Sequence, residues 1–175
     1  MTATLLPAAE RIRRPWRNGG GATRDVLISP PSASLDGFDW RLSLAEVTEP
    51  GPFSAFPGVD RTLCVLEGTI ELQIEGAAGS QRLAPQTPAL SFPGDVAVFG
   101  RPVGGPVTDL NLMVRRAAFV GSVRNHPAGV APLARSEACA VVLVATAPLT
   151  VRVGPATHLL QRFDALRFDP GAQAD

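Results

Sequence analysis

The sequence predicts an all-β protein made of two small β units fused in one chain, and three observations point there. Apolar residues recur with a period of two, or in short runs, over a series of short segments. Glycine and proline, 17 of each, punctuate those segments and leave little room for long helices. The strand, tight turn and strand of residues 64–72 return in reduced form at residues 142–151, each followed by another strand bounded by Pro and Gly. At 175 residues and 45% apolar, the chain can bury one sizeable core or two small ones. The reading places an N-terminal barrel at residues 1–120 and a shorter unit at 121–175, with one irregular sandwich as the alternative.

Within residues 38–47, Phe38, Trp40, Leu42 and Leu44 share one strand face while Asp39, Arg41, Ser43 and Ala45 share the other. Either face could line a cavity. Residues 61–66 and 70–74 flank Glu67 and Gly68 and read as a hairpin, with Glu71, Gln73 and Glu75 on its wet face. Residues 90–92, 96–99 and 110–114 continue the series, with turns at Pro93-Gly94-Asp95 and Gly104-Gly105-Pro106. Such short spacing suits a sandwich or barrel. After a Pro- and Gly-containing stretch at 125–132, strands are expected at 140–145, 149–153, 158–160 and 166–168.

The inventory excludes several chemistries. All sixteen cationic side chains are arginine, so lysine Schiff bases, pyridoxal phosphate attachment and a phosphate-loop lysine are ruled out. Tyrosine is absent, and His126 and His158 stand far in sequence from every motif. A formal net charge of zero gives no field to attract nucleic acid or an anionic membrane, and Arg11, Arg13, Arg14 and Arg17 read as a solvated edge. Cys64 and Cys139 lie in apolar runs and read as reduced core thiols. Residues 1–10 lack the pattern of a secretion leader and no apolar run approaches a membrane span, so a cytoplasmic location is expected. Ser54 lacks the glycine-flanked elbow of a hydrolase nucleophile.

Five short strings, Trp16-Arg-Asn-Gly-Gly-Gly-Ala-Thr23, Trp40-Arg-Leu-Ser-Leu-Ala45, Gly51-Pro-Phe-Ser-Ala-Phe-Pro-Gly58, Asp60-Arg61 and Asp109-Leu-Asn-Leu-Met113, closely resemble the HutD/Ves family in content and order. They cover most of residues 15–116, while the C-terminal third matches only in general character. The resemblance implies a double-stranded β-helix of the cupin or RmlC-like jelly-roll type, doubled as a bicupin. It also implies a bacterial cytoplasmic protein connected with histidine utilisation, regulatory and small-ligand binding.

A typical cupin holds a divalent metal with two histidines and a glutamate ahead of a strand-ending glycine, and a third histidine later. Counting back from Gly68 puts Arg61 at the glutamate position and Ser54 and Phe56 at the histidine positions, with Ala97 near the third. None is a good metal ligand, so no metal and no other cofactor is expected. A guanidinium where a carboxylate would stand turns a cation site into an anion site, because its planar fork of donors suits a carboxylate.

Arg61 shares its strand face with Leu63 and Val65, and Asp60 or Asp109 could steady it. Arg41 and Ser43 on one strand, and Asp109, Asn111, Met113 and Arg115 on another, could face the same cavity. Gly19-Gly-Gly21 reads either as a cradle of N–H groups for an anion or as a tight chain crossing, and Trp16 either as a stacking platform or as core. The expected ligand-binding set is Arg61, Arg41, Ser43, Asn18, Gly20, Trp16, Asp60 and Asn111, with no catalytic residue.

The expected partner is a small carboxylate metabolite, urocanate or formylglutamate by the family context, with no nucleic acid and no membrane; a homodimer through exposed strand edges stays open. The rival expectation is a metal-independent isomerase or lyase using Asp60, Asp109 or Glu46 as base and Arg61 to stabilise the developing anion.

Overall fold

The computed structural model describes residues 3–126 and 140–168. Its strands are β1 (Ala3–Leu6), β2 (Arg13–Pro15), β3 (Gly21–Ser29), β4 (Trp40–Val47), β5 (Gly51–Pro52), β6 (Val59–Glu67), β7 (Ile70–Ile74) and β8 (Gln81–Leu83). They continue as β9 (Leu90–Pro93), β10 (Val98–Pro102), β11 (Val107–Arg115), β12 (Val141–Val144), β13 (Leu149–Val153), β14 (Ala156–Leu160) and β15 (Ala165–Phe168). Among the described residues the one helical element is a 3-10 turn at Ala8–Glu10. The fold is all-β and cupin-like, and no helix of the described residues is long and apolar enough to cross a membrane.

Two compact units divide the chain. The larger, Ile12–Asn125, carries β2 to β11; the smaller joins the described residues before Ile12 to those after Asn125. This division differs from the contiguous 1–120 and 121–175 read from sequence, because β1 pairs along its length with β15, from Ala3 opposite Phe168 to Leu6 opposite Ala165. Local sequence carries no sign of a partner so far along the chain.

The larger unit pairs a six-stranded sheet, β2-β3-β4-β11-β6-β9, with a four-stranded sheet, β5-β10-β7-β8. Here the expected hairpin is corrected: β6 and β7 belong to different sheets, so Glu67 and Gly68 carry the chain from one layer to the other. Gly68 has φ of 77°, and a Cβ there would stand 2.6 Å from the Pro106 carbonyl oxygen. The crossing therefore needs glycine on both counts. The wet face is as read, with Ile70 and Leu72 buried and Gln73 exposed. Between the layers Val47, Leu63, Val65 and Val107 pack against Ile70, Leu72, Leu83 and Val98. Each such side chain contributes roughly 1.5–3 kcal/mol by leaving water.

The opposite face of the six-stranded sheet is buried as well, at Leu42, Leu44, Cys64 and Leu110. Residues 117–125 run over it: a Cβ on Gly121 would meet Leu112 and Val114 at 2.8 and 2.9 Å, and the Cys64 thiol donates to Asn125 Oδ1 at 3.4 Å. Cys64 is free and buried, while Cys139 lies outside the described residues.

The smaller unit holds a three-stranded sheet, β1-β15-β12, and the pair β13-β14. Its β12 and β13 also lie in different sheets, so the echo of residues 64–72 at 142–151 is a second layer-to-layer crossing. Ala145, Val153, Leu160, Leu166 and Phe168 form its core.

Candidate functional site: a caged arginine between two layers

Antiparallel register sorts one face of the six-stranded sheet into three cross-strand rows. Arg41, Met113, Arg61 and Phe92 form the first; Asp25, Ser43, Asn111, Leu63 and Leu90 the second; Thr23, Ala45, Asp109 and Val65 the third. Because Leu63 and Val65 pack against the four-stranded sheet, this is the face turned inward. It answers the question the β4 pattern leaves open: Arg41 and Ser43 share the interior face with Arg61 and Asn111.

Arg61 is 5% exposed. Its guanidinium carbon stands 5.3, 5.7 and 5.3 Å from the ring centres of Phe53, Phe56 and Phe92, so three aromatic faces replace much of the water it has lost. Nη1 donates to the Ser54 carbonyl at 3.3 Å, and Nε has no hydrogen-bond partner. Burial pulls its pKa down to about 10, against the attraction of Asp109 and with a smaller push from Arg41. The group is still a cation at neutral pH. Ser54 and Phe56, read from cupin spacing, thus do come to Arg61, whereas Ala97 is exposed and its N–H donates to Glu75. Gly100 makes the cage possible, since a Cβ there would stand 2.7 Å from the Phe53 ring.

Asp109 is 1% exposed, and burial pushes its carboxyl up to about 7, outweighing the attraction of Arg61. Its Oδ1 has no hydrogen-bond partner, and neither does Asn111 Oδ1 two residues on along the same face. Unmet buried polar atoms of this kind each cost about 1–3 kcal/mol, so their gathering on one face marks a place where polar groups await a partner. Arg41 is matched differently. Its Nε donates to Asp25 Oδ1 at 2.6 Å, Nη2 stands 2.6 Å from the same oxygen, and Arg14 reaches Asp25 Oδ2 at 2.7 Å. Pairing slips by one residue beside each interior carboxylate, between Asp25 and Leu27 and between Thr108 and Asp109, as bulges do where a side chain is re-aimed.

Other candidates stand elsewhere. Asp60 is exposed, opposite in parity to Arg61, and accepts from Arg116 Nε at 2.9 Å, so it does not steady Arg61. Asn18 is exposed; its Oδ1 accepts from the Gly20 N–H at 3.1 Å, and the Gly19 N–H donates to the Trp16 carbonyl at 3.1 Å. These two N–H groups close a turn instead of facing an anion. Gly21 favours the tight-crossing reading, because a Cβ there would lie 2.2 Å from the Glu46 carbonyl oxygen. Trp16 packs edge-on to Phe53 with centroids 6.4 Å apart, and its Nε1 donates to Thr23 Oγ1 at 2.8 Å. Arg115 donates to the Phe38 and Pro57 carbonyls and pins loops. Glu46, a candidate base, pairs with Arg24 and Arg13.

Sequence reasoning missed Asp25 as the partner of Arg41, and the three-phenylalanine cage. A groove of about 330 Å³ lies on the sheet's other side, lined by Thr62, Leu112, Val114 and Val120, away from the buried polar groups. Among the described residues no three His, Cys, Asp or Glu side chains gather into a group that could hold a metal.

Fold and site together define a cupin-like β protein whose interior presents an arginine in an aromatic cage. The chain belongs to the HutD family, whose profile matches residues 8–175. It is 32% identical over 167 residues to an uncharacterized 21.2 kDa protein in the hutC 3' region of Pseudomonas putida, covering 94% of this chain and 86% of that one. It is 39% identical to the protein Ves of Citrobacter koseri over 110 residues, 62% of this chain and little more than half, 56%, of Ves. HutD from Pseudomonas fluorescens SBW25, solved in a formate condition, superposes with a TM-score of 0.78 at 29% identity, covering 98% of this chain and 89% of that structure.

Proposed function

We propose that the interior of the 12–125 unit binds a small carboxylate on Arg61, and that the protein, acting in the cytoplasm without a metal, moderates histidine utilisation by holding a metabolite such as urocanate or formylglutamate. The observation that carries this reading is a buried guanidinium, caged by three phenyl rings, whose Nε has no hydrogen-bond partner. An ionised donor with apolar surroundings binds a carboxylate far more strongly than it would in water. Sequestration then follows from mass action, provided protein abundance and affinity match the metabolite level.

The rival reading, an isomerase or lyase, retains one interior base, Asp109, since Asp60 and Glu46 pair with arginines elsewhere. Calorimetric titration with formylglutamate and with urocanate, beside an Arg61→Ala variant and followed by mass spectrometry of the ligand, separates the two. Saturable binding that the variant loses, with ligand recovered intact, supports the receptor; conversion of the ligand supports the enzyme; no heat with either ligand removes both. For the regulatory role, histidine-dependent induction of the pathway enzymes should overshoot in a deletion strain, and identical induction curves would sink it.

A further inference from the structure

We infer that Asp109 is the proton acceptor of this site: a carboxylate ligand enters with uptake of one proton by Asp109, which then stands neutral beside the bound anion. The inference rests on the carboxylate reading above and deepens it.

Charge matching on the interior face carries the argument. Two guanidinium groups are enclosed on the interior face, Arg41 and Arg61, with two carboxylates, Asp25 and Asp109; the exposed Arg14 adds a third guanidinium on Asp25. Arg41 is held by Asp25 at 2.6 Å, whereas Arg61 forms no ion pair and Asp109 is the carboxylate whose attraction it feels. A ligand carboxylate on Arg61 would place two anions against one available cation. The groups facing Asp109 offer nothing further. Its neighbours across the strands are Ala45 and Val65, with Thr23 beyond Ala45 and the uncharged Asn111 two residues on, and Val65 belongs to the apolar core with Ile70, Leu72, Leu83 and Val98. The charged groups near it are Arg61 on β6, and Arg41 on β4 with its partner Asp25 on β3; the Cys64 thiol, which feels Asp109 from the sheet's other side, is pushed up and stays neutral.

Two like charges in such surroundings cannot both persist, and one takes a proton. Asp109 is the one prepared for it, being fully enclosed, with an oxygen that accepts no hydrogen bond and without the backbone donors that hold a buried carboxylate ionised. The protonated group also adds an O–H donor on a face where the oxygens of Asp109 and Asn111 lack one. The step balances: one proton passes from solvent to an Asp109 oxygen and no other bond changes. Near neutrality the carboxyl is already poised for it, since burial holds it at about 7.

The sign of the pH effect follows. The ligand selects the protonated form, so affinity is greatest below the carboxyl's pKa and falls as pH rises through it, by up to about tenfold per pH unit. The test is titration calorimetry of the full chain with N-formylglutamate and with formate, both ionised above about pH 6, in phosphate and in Tris at pH 8, and over pH 6 to 8.5. Expected are an uptake close to one proton at pH 8, read from the two buffer heats, and a Kd that weakens severalfold or more between pH 7 and 8.5. In Asp109→Asn, binding should cease to vary with pH and proton uptake should vanish, whereas a pH dependence arising from any other group would survive in that variant. Binding with equal heats in both buffers and a flat profile would overturn the inference and leave the carboxylate reading standing. An absence of heat with both probes even at pH 6 would overturn the carboxylate reading and this one with it. The wild-type buffer comparison decides the matter even if the variant fails to fold.

Discussion

Asp164 in the smaller unit accepts the Ala8 N–H at 2.7 Å and the Gln161 N–H at 2.8 Å, one on each oxygen, whereas Asp109 in the larger unit is more deeply buried and leaves Oδ1 without a partner. The units share a way of sending the chain between layers, yet they use their interiors differently. The smaller packs Ala145, Val153, Leu160, Leu166 and Phe168 together and uses its buried aspartate as a tie between segments distant in sequence. The larger surrounds charge with phenyl rings and aliphatic walls and leaves part of it unmatched. A buried carboxylate is thus no functional signal by itself; the signal is burial without bonding.

Arg61→Met should sharpen this contrast most. Carboxylate binding should weaken by about a hundredfold or more, because the charge that receives the ligand is gone. Stability by denaturant unfolding should hold or rise, since an apolar side chain suits a cage of Phe53, Phe56 and Phe92 better than a poorly partnered cation. A large loss of stability would mean that Arg61 is a structural strut.

Asp109 sets the next effect. Its folded pKa, about 7, lies above the unfolded carboxylate value near 4, so the native chain holds the extra proton between them. The resulting stability is fully present below about pH 4 and is lost as pH rises through about 7, by on the order of 4 kcal/mol in all. Unfolding free energies measured from pH 5 to 8 should fall for the wild type and stay nearly level for Asp109→Asn.

Asp164→Ala should act in the opposite sense, lowering stability by about 2 kcal/mol at neutral pH because two backbone N–H groups lose a charged acceptor. Gly100→Ala should drive Phe53 off Arg61 and weaken carboxylate binding severalfold, by calorimetry. Asp60→Ala removes an exposed pair with Arg116 and should change stability by no more than about 0.5 kcal/mol, with binding unaltered.

The alternation of strands made part of this site legible. Period-two parity puts Arg41 with Ser43, Asp109 with Asn111, and Arg61 with Leu63 and Val65, and parity alone also sends Asp60 to the other side of its strand. The inward face of β4 was not legible, because Leu42 and Leu44 are as buried as Ser43 and polarity shows no contrast. The phenylalanine cage draws on a loop and on a strand some thirty residues later, and Asp25 meets Arg41 only through an irregular pairing; spacing along the chain encodes neither. The false hairpin at Glu67 and Gly68 has the same origin, since a tight turn looks alike in sequence whether the chain folds back within a sheet or steps across to another.

The pairing of β1 with β15 has a consequence during synthesis. The Ile12–Asn125 unit is continuous and can fold while the ribosome is still reading, but the smaller unit has its first strand made at the start and its partner near the end. Until β15 is made β1 waits with its edge unpaired, and a nascent chain halted before residue 165 would carry a finished 12–125 unit and an orphaned strand.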